Sequence, residues 1–381
     1  MSEPHRYDRH LARRPQSVVV QPTSFCNLDC TYCYLPHRDR REHMAVEVAD
    51  AVARSVTELA PALSPGRPLE LVWHAGEPLA LGLRRFGELL APFEPLRQAG
   101  LVHHYVQTNA TLVSDDWCRF LARYQFRVGV SIDGPAALNA QRVDRKGKPA
   151  FDRIVKGVAR LREAGIAFSV IAVVTAESVD RPEDLLDFLA GLGCHTIGIN
   201  IEETEGVNTT RPMPTVEQAR QFWRRTMAWS RRTPGPKVRE LARLGDYLHA
   251  ARTARQTDRG ALLIDPIPTV SAAGDVVLLS PELAGIAAPA YDDFRAGNVL
   301  HQSLASILDG AHRLRYVDEF LTGLERCEAT CQFFDFCRGA QAGNRYFENG
   351  RLDTTETNYC RVSRQALITA LSDTVREEQA A

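Results

Sequence analysis

Three cysteines stand close together near the start of the chain. Cys26, Cys30 and Cys33 are separated by three and then two residues, directly after a Val-rich run. Three thiolates at this spacing can wrap around one face of a cubane iron–sulfur cluster and leave its fourth iron open for a small molecule. A structural zinc site prefers four ligands closed around the ion, so the loop fits zinc less well. We therefore predict a 4Fe–4S cluster with one open iron at this loop.

Four further cysteines form a second group near the carboxyl end. We call them the tail cysteines: Cys327, Cys331, Cys337 and Cys360. Four thiolates fit a zinc ion or a 4Fe–4S cluster about equally well. The two remaining cysteines, Cys118 and Cys194, stand alone and are expected to be small buried hydrophobic residues. Because the chain carries no secretory signal, we expect metal binding rather than a disulfide framework.

The composition is that of an ordinary globular protein. The 381 residues carry 46 Lys and Arg against 47 Asp and Glu, for a net charge of −1, which gives no reason to expect a nucleic acid or an anionic membrane as partner. No run approaches the roughly 18 apolar residues that a membrane-spanning helix needs. Residues 1–14 lack the apolar core of a signal peptide. We therefore expect a cytoplasmic protein of two or three domains.

Short apolar runs alternate with helical patterns over the first 231 residues. The runs are rich in Val and Ile, as is typical of buried parallel strands; they are Ser17–Gln21, Leu69–His74, Val102–Thr108, Arg127–Ile132, Ala167–Val174 and Thr196–Ile201. The helical patterns are Met44–Ala60, Leu83–Ala99, Asp115–Tyr124, Phe151–Ala164, Pro182–Leu192 and Val216–Arg231. Six such units predict an α/β fold, a partial (β/α)6 TIM-like barrel that stays open because it is two units short of eight.

The pattern changes after Pro234. One more helix is predicted over Lys237–Thr253, and Ala261–Ser280 alternates around Ala273-Gly274-Asp275, which indicates a hairpin. The segment Leu324–Cys360 shows little helical or strand period and is expected to bury too little apolar surface to fold by itself. We therefore expect its cysteines to stabilise it. These changes predict a barrel over residues 1–235, a linking helix over 236–260 and a cysteine-rich domain with a C-terminal helix over 261–381.

The first cysteine loop resembles that of the radical S-adenosylmethionine (SAM) superfamily, whose pattern is CxxxCxΦC with an aromatic residue at Φ. The family's GGEP motif is similar to the segment His74–Pro78, with Ala75 in place of the first Gly. The resemblance implies bound SAM, a 5′-deoxyadenosyl radical that abstracts hydrogen, and cofactor-binding residues Tyr32, Ala75, Gly76, Glu77, Pro78, Gln107, Asn109, Ser131 and Asp133. Each segment follows a predicted strand, where barrel active sites gather.

The tail resembles a SPASM domain, the auxiliary-cluster extension of peptide-modifying radical SAM enzymes. Its central run is usually CxxCx5Cx3C, whereas here the first spacing is three and the last position is Gln341. Upstream, Gly274 is followed five residues later by Leu279 instead of Cys. The resemblance therefore implies a C-terminal SPASM-like iron–sulfur domain that lacks the first auxiliary cluster. We predict two 4Fe–4S clusters in total, with zinc at the tail cysteines as the alternative.

Two sequence segments indicate a subfamily of the SPASM-type enzymes. Leu279–Gly285, followed by Phe294-x2-Gly297-Asn298, and Asn200–Gly206 resemble maturases that install cyclophane crosslinks in ribosomally made peptides. In such relatives an aromatic ring carbon is joined to the β-carbon of the residue two positions further on. The resemblance implies a precursor peptide as substrate and a low-potential electron donor of the flavodoxin or ferredoxin type. It implies neither nucleic acid nor membrane as a partner.

A carboxylate should accept the proton that the aromatic ring loses. Glu282 is the predicted base, because sulfatase-maturating relatives carry an acidic residue beside the cysteine that is lost here, although Ser280 holds the strictly adjacent position. Alternatively, Glu282 only caps a turn. Glu202, Glu203 and Glu205 are further candidates, either as the base or as a receptor for a basic peptide segment, and as a third possibility form a solvated loop.

Other functions stay open at this point. A sulfatase-type maturase would oxidise Cys or Ser to formylglycine, and the missing auxiliary ligands count against it. Thioether formation and epimerisation are further candidates, with Cys118 or Cys194 as a hydrogen-donating thiol for an epimerase. A non-enzymatic zinc-binding interaction module is the alternative from another class. We see no separate leader-binding domain before the first strand, so a peptide leader is expected to dock on the barrel or the tail.

Overall fold

Six parallel strands form the scaffold of the protein. The structure is a computed structural model that describes residues 6–59, 67–253 and 263–380. Four shorter strands follow the six, and the ten are β1 Ser17–Val20, β2 Leu69–Trp73, β3 Val102–Thr108, β4 Arg127–Ser131, β5 Phe168–Val174, β6 Thr196–Ile201, β7 Lys237–Val238, β8 Thr269–Val270, β9 Asp275–Val277 and β10 Gly297–Asn298. The first six confirm the six predicted strands. The predicted helix end at Ala60, the end of the 236–260 segment and the first hairpin residues lie outside the described residues.

Helices cover the outer face of the sheet and continue through the tail. They are α1 Arg6–His10, α2 Val46–Leu59, α3 Leu83–Leu90, α4 Glu94–Gln98, α5 Asp115–Arg123, α6 Phe151–Glu163, α7 Pro182–Gly191, α8 Val216–Arg232, α9 Arg239–Arg252, α10 Leu304–Gly310, α11 Arg315–Thr330, α12 Phe334–Cys337, α13 Ala342–Asn349 and α14 Ala366–Ala380. Ser114 caps α5 through a hydrogen bond from Trp117 N–H, as its residue type predicts. The predicted helix Leu83–Ala99 divides into α3 and α4 because two prolines interrupt it.

All ten strands belong to one open sheet, in the order β10-β9-β8-β1-β2-β3-β4-β5-β6-β7. The predicted hairpin is confirmed, since β8 and β9 pair antiparallel around a turn at Gly274, whose φ is +88°. Strand β8 also pairs in parallel with β1, so the hairpin extends the barrel sheet. At the other edge, β7 pairs in parallel with β6. The fold is therefore the predicted α/β partial barrel, with short strands added at both edges.

The two faces of the sheet have different surroundings. On the outer face, Trp73 is fully buried and makes edge-to-face contacts with Phe86 and Phe93. On the inner face, burial alternates along β5, and the partly exposed Ile171 and Val173 line an internal cavity. Strands that are packed on one side and open to a cavity on the other leave room for a ligand inside the barrel.

The tail is more helical than its sequence pattern suggested. The expectation that Leu324–Cys360 has little regular structure is wrong, because α11 continues to Thr330 and α12 and α13 follow. In α13 the period is hard to recognise because the helix buries the polar Asn344 and Arg345 together with small residues, whereas α12 is only four residues long. The four tail cysteines therefore lie in helical elements or directly beside them.

The tail also packs back onto the barrel. Helix α14 lies against α8, where Arg220 pairs with Asp373 at 2.6 Å, and the buried Trp223 donates a hydrogen bond of 2.9 Å to the Val362 carbonyl. This contact brings the segment after Cys360 to the open side of the barrel. In the described part of the chain, no helix has the length and apolar character to cross a bilayer.

Candidate active site

A cavity of about 600 Å³ opens at the carboxyl ends of the parallel strands. Thirteen of the sequence-predicted site residues line it: Cys26, Cys30, Tyr32, Cys33, Gly76, Glu77, Gln107, Asn109, Ser131, Glu202, Glu203, Glu205 and Glu282. The predicted residues Ala75, Pro78 and Asp133 are buried and do not line it, and neither do the tail cysteines. The parallel strands thus bring residues from four separate segments and the tail to one space, as barrel topology predicts.

The cysteine loop presents its thiols to this cavity with backbone support. Leu28 N–H donates a hydrogen bond of 3.4 Å to Cys26 Sγ, and Asn109 Nδ2 lies 3.8 Å from the same sulfur. Burial raises the pKa of the Cys30 thiol to about 11, so these thiols ionise when a metal cluster takes the place of their protons. Three soft donors with N–H···S bonds suit a 4Fe–4S cluster that keeps one iron for another ligand.

Glu77 is held inside the wall next to the cysteine loop. Its carboxylate accepts hydrogen bonds from Leu79 N–H at 3.1 Å, Thr108 Oγ1 at 2.7 Å and Asn109 N–H at 2.8 Å. Burial outweighs these bonds and raises the pKa of Glu77 to about 7. Among the described residues no basic side chain hydrogen-bonds to this buried carboxylate, which is therefore suited to a cationic ligand group.

The backbone beside Glu77 has an unusual conformation. Ala75 and Gly76 both adopt left-handed φ angles, +73° and +55°. A Cβ added to Gly76 would overlap the carbonyl oxygen of Phe25, so glycine is required there. Ala75 tolerates its Cβ sterically but carries the conformational cost of this region for an L-residue. The departure from the family motif at Ala75 is thus accommodated with local strain.

Asp133 is already fully engaged by protein groups. It pairs with Arg142 at 2.8 and 2.9 Å, accepts a hydrogen bond from the Tyr32 hydroxyl and another from Val173 N–H at 2.9 Å. Asp133 therefore orients Tyr32 and Arg142, and Arg142 is the member of this group whose side chain reaches the cavity with Tyr32. No local pattern marks Arg142, and the sequence analysis missed it.

A group of three partly buried carboxyls lies at another part of the cavity wall. Glu203 and Glu205 follow β6, Glu282 belongs to the turn after β9, and all three line the cavity. The Asn344 amide donates to both Glu203 and Glu205, at 3.1 Å to the latter. Burial raises the pKa of each carboxyl, and mutual repulsion raises that of Glu205 further. The structure thus brings together residues that the sequence offered as alternatives.

Glu202 differs from its neighbours because it forms an ion pair with Arg211 at 2.6 Å and accepts a hydrogen bond from Asn208. The Ser280 hydroxyl donates to Glu282 at 2.6 Å, which fixes that side chain. Of the four glutamates named from the sequence, Glu202 is therefore committed to a structural ion pair. Glu203, Glu205 and Glu282, which we call the carboxyl cluster, carry no such pair in the described part of the chain.

Several cavity residues were not found by sequence reasoning. Tyr34 lies on the cysteine loop, and its hydroxyl is 3.3 Å from His74 Nε2; burial lowers the pKa of His74 to about 4, so the imidazole is neutral at pH 7. Further missed residues come from α8, α9 and the tail: Trp223, Arg239, Glu240, Arg243, Tyr359, Ser363 and Arg364. Their segments carry no motif, and only packing of the tail against the barrel places them here.

The tail cysteines come from three helical elements. Cys327 and Cys331 lie at the end of α11, Cys337 ends α12, and Cys360 begins a π-helical turn. The thiols of Cys337 and Cys360 are within hydrogen-bonding distance of each other.

Backbone N–H groups also point at these sulfurs. Residues Arg338, Gly339 and Ala340 all have left-handed φ angles, and this turn aims the N–H groups of Gly339 and Ala340 at Cys337 Sγ. Among the described residues, no three His, Cys, Asp or Glu side chains converge as ligands of a single metal ion. Four thiols with N–H···S donors are a donor set that suits an iron–sulfur cluster.

Comparison with known proteins gives both a family and close relatives. The family model "Radical SAM superfamily" matches residues 20–189. The protein sll1766 of Synechocystis sp. is 34% identical over 358 residues, which cover 90% of this chain and 88% of that protein. The serine-type anaerobic sulfatase-maturating enzyme of Bacteroides thetaiotaomicron is 28% identical over 191 residues, about half of either chain.

Two solved structures share the whole fold. Native anSMEcpe with bound AdoMet and the Cp18Cys peptide superposes with a TM-score of 0.73 and 19% identity, covering 96% of this chain and 99% of that one. Streptococcus suis SuiB bound to the precursor peptide SuiA superposes with a TM-score of 0.65 and 17% identity, covering 92% and 77%. At these identities the likeness is one of fold, and it includes the tail as well as the barrel.

Proposed function

The chain belongs to the radical SAM superfamily of enzymes, and from that premise we propose that it crosslinks a ribosomally made precursor peptide. The bond formed joins an aromatic ring carbon to a side-chain β-carbon, giving a cyclophane. Membership in an enzyme superfamily excludes the non-enzymatic zinc module considered from the sequence. The peptide as substrate class is supported by the fold shared with anSMEcpe and SuiB, both solved with bound peptides.

The residues present fit the implied cofactors. Cys26, Cys30 and Cys33 would hold the SAM-binding cluster, and Glu77 would bind the SAM ammonium group with its buried carboxylate. When bound, this pair supplies a carbon radical that abstracts a hydrogen atom from the peptide. Around it, Tyr32 and Arg142, both oriented by Asp133, form a wall that excludes water.

The carboxyl cluster is the observation that carries this proposal. Forming the crosslink removes one hydrogen atom from Cβ, and the ring then loses one proton and one electron. Glu282 accepts that proton as a carboxylate and becomes neutral, while the Asn344 amide donates hydrogen bonds to the neighbouring Glu203 and Glu205. Because burial raises the pKa of Glu282, this carboxylate is a stronger base than an exposed one.

The electron leaves through the tail. Tyr359 lines the cavity, and the next residue is Cys360, one of the tail cysteines. Those four cysteines would hold an auxiliary 4Fe–4S cluster, which would supply an acceptor for the electron. The proposal includes a flavodoxin- or ferredoxin-type donor for the SAM-binding cluster and the division into barrel, linking helix and tail domain near residues 235 and 261.

The test is a peptide assay under anaerobic conditions. A short peptide with aromatic-x-x motifs, encoded beside this protein's gene, is incubated with reconstituted enzyme, SAM and reductant. We expect each crosslink to lower the peptide mass by two hydrogens and to suppress fragmentation between the joined residues. Glu282→Gln should retain SAM cleavage and lose at least about 100-fold in crosslinking rate. An unchanged peptide mass with active SAM cleavage would contradict the proposal.

Formylglycine formation is a second candidate, favoured by the sulfatase-maturating relatives. Oxidation of a serine also removes two hydrogens, so mass alone does not separate the two reactions. A hydrazide reagent does, because it labels the formylglycine aldehyde and leaves a carbon–carbon crosslink unmodified. Labelling of a sulfatase-derived Ser or Cys peptide would replace the cyclophane assignment with this one.

A further inference from the structure

A fully buried arginine lies beside the tail cysteines. Arg345 in α13 has no exposed surface. Its Nη2 donates to Gly339 O at 2.7 Å and lies 3.5 Å from Cys327 Sγ, and its Nη1 lies 3.3 Å from Leu352 O. The guanidinium is therefore held by two carbonyls and one sulfur, and its Nε is left without a hydrogen-bond partner among the described residues.

The positive charge of Arg345 is not paired with a carboxylate among the described residues. Within the described residues, Arg345 forms no ion pair with a carboxylate, and the one side chain that its guanidinium hydrogen-bonds is the thiol of Cys327. A buried cation with no anion beside it is strongly destabilising. The tail cysteines become anionic when they bind a metal cluster, so the cluster completes the ion pairing that the protein leaves open.

Closely packed residues fix the position of the Arg345 guanidinium. A Cβ added to Gly323 in α11 would overlap Arg345 Nη1, and one added to Gly339 would lie 3.3 Å from Nη2. The Phe320 ring lies below the guanidinium, with its centroid 5.0 Å from Cζ. Two glycines and an aromatic face thus form a cradle that holds the planar fork against the Cys327 sulfur.

We propose that Arg345 is a positioning residue that raises the reduction potential of the auxiliary cluster, so that the cluster accepts the electron given up by the substrate. This inference rests on the auxiliary cluster of the proposed function. The step is a one-electron transfer: the substrate radical is oxidised as its ring proton passes to the carboxyl cluster, and the iron–sulfur cluster is reduced. A positive charge and an N–H···S bond both stabilise the reduced, more negative state.

The test measures the cluster's midpoint potential in full-length protein. Cys26, Cys30 and Cys33 are replaced by Ala so that the reconstituted protein holds only the auxiliary cluster, and the potential is read by redox titration with electron paramagnetic resonance. Relative to this parent, Arg345→Met should lower the potential by at least about 59 mV, a tenfold change in a one-electron equilibrium constant. Arg345→Lys, which keeps the charge without the fork, should lie between the two.

The matched control is Arg326→Met. Arg326 precedes Cys327 on the same helix, but its guanidinium is exposed. It donates to the Asp353 backbone carbonyl at 2.9 Å and pairs with the Asp353 carboxylate at 3.2 Å. This control should leave the potential unchanged, because solvent screens its charge. An equal loss of potential in the control would mean that any nearby charge suffices, and it would overturn the specific role of Arg345.

The remaining outcomes separate the two proposals. A parent that binds no iron contradicts the auxiliary cluster itself, whereas a parent with a cluster whose potential is unmoved by Arg345→Met and Arg345→Lys overturns this inference. If the Met variant fails to fold, Arg345→Lys carries the test alone, because it keeps the charge and removes the planar fork, and a potential unchanged by it overturns this inference. A purely structural role for Arg345 would lower the unfolding temperature and leave the potential in place.

Discussion

The affinity of the enzyme for SAM should depend on pH through Glu77. The carboxylate, and not the carboxylic acid, pairs with the SAM ammonium group, and burial raises the Glu77 pKa to about 7. Lowering the pH through 7 therefore protonates the site and weakens binding. The useful range ends near pH 7.5, because a free α-amino group has a pKa of about 7.7–8.0 and itself loses its proton above that range.

The size of the effect follows from the titration. Glu77 is about three-quarters ionised at pH 7.5 and about one-tenth ionised at pH 6.0, so the dissociation constant should rise roughly five- to tenfold, or about 1–1.4 kcal/mol. Replacing Thr108 with Val removes a 2.7 Å hydrogen bond to the carboxylate. That variant should raise the Glu77 pKa further and move the midpoint of the binding curve to higher pH.

Equilibrium dialysis of the reconstituted enzyme against labelled SAM, in anaerobic buffers of constant ionic strength, measures these constants. The matched control ligand is 5′-deoxyadenosine, which lacks the ammonium group and should bind equally well at pH 6.0 and 7.5. A SAM dissociation constant that changes less than twofold over this range, or that decreases at the lower pH, would refute the assignment of Glu77. A parallel change for 5′-deoxyadenosine would place the titrating group elsewhere.

Three further predictions concern stability and metal content. Ala75→Gly should raise the free energy of unfolding in urea by about 0.5–1 kcal/mol by relieving a φ of +73°, whereas Gly76→Ala should lower it, because its Cβ would overlap a carbonyl. Asp133→Asn should cost about 3 kcal/mol in the same assay, since it leaves Arg142 buried without its anion. Cys331→Ala should reduce bound iron from about eight to about four atoms per chain while SAM cleavage continues; an unchanged iron content would exclude Cys331 as a ligand.

Local pattern was sufficient for the barrel. Strands such as β5 and helices such as α8 were predicted to within about two residues, because apolar period and capping residues are properties of neighbouring positions. The same holds for the cysteine loop, whose three thiols are adjacent in sequence, and for Glu77, which directly follows a strand. Strand topology then brings such segments together at one edge of the sheet.

Local pattern was insufficient where the site depends on distant segments. The sequence offered Glu282 and the glutamates after β6 as competing candidates, and the structure brings Glu203, Glu205 and Glu282 to one cavity wall while Glu202 pairs with Arg211. It also pairs Asp133 with Arg142. No spacing rule predicts such contacts, because they depend on how separate segments of the barrel and the tail pack together.

By itself, then, the sequence determined the parallel barrel, the three-cysteine loop at its carboxyl edge and a second set of four cysteines. Only the tertiary structure decided which carboxyls share the cavity, that β8 joins the barrel sheet beside β1, and that Arg345 has sulfurs rather than carboxylates around it. The physical reason is that backbone propensity and amphipathic period act over a few residues. The partners of a buried charged side chain are instead determined by tertiary packing, which brings residues distant in sequence within a few ångströms of it.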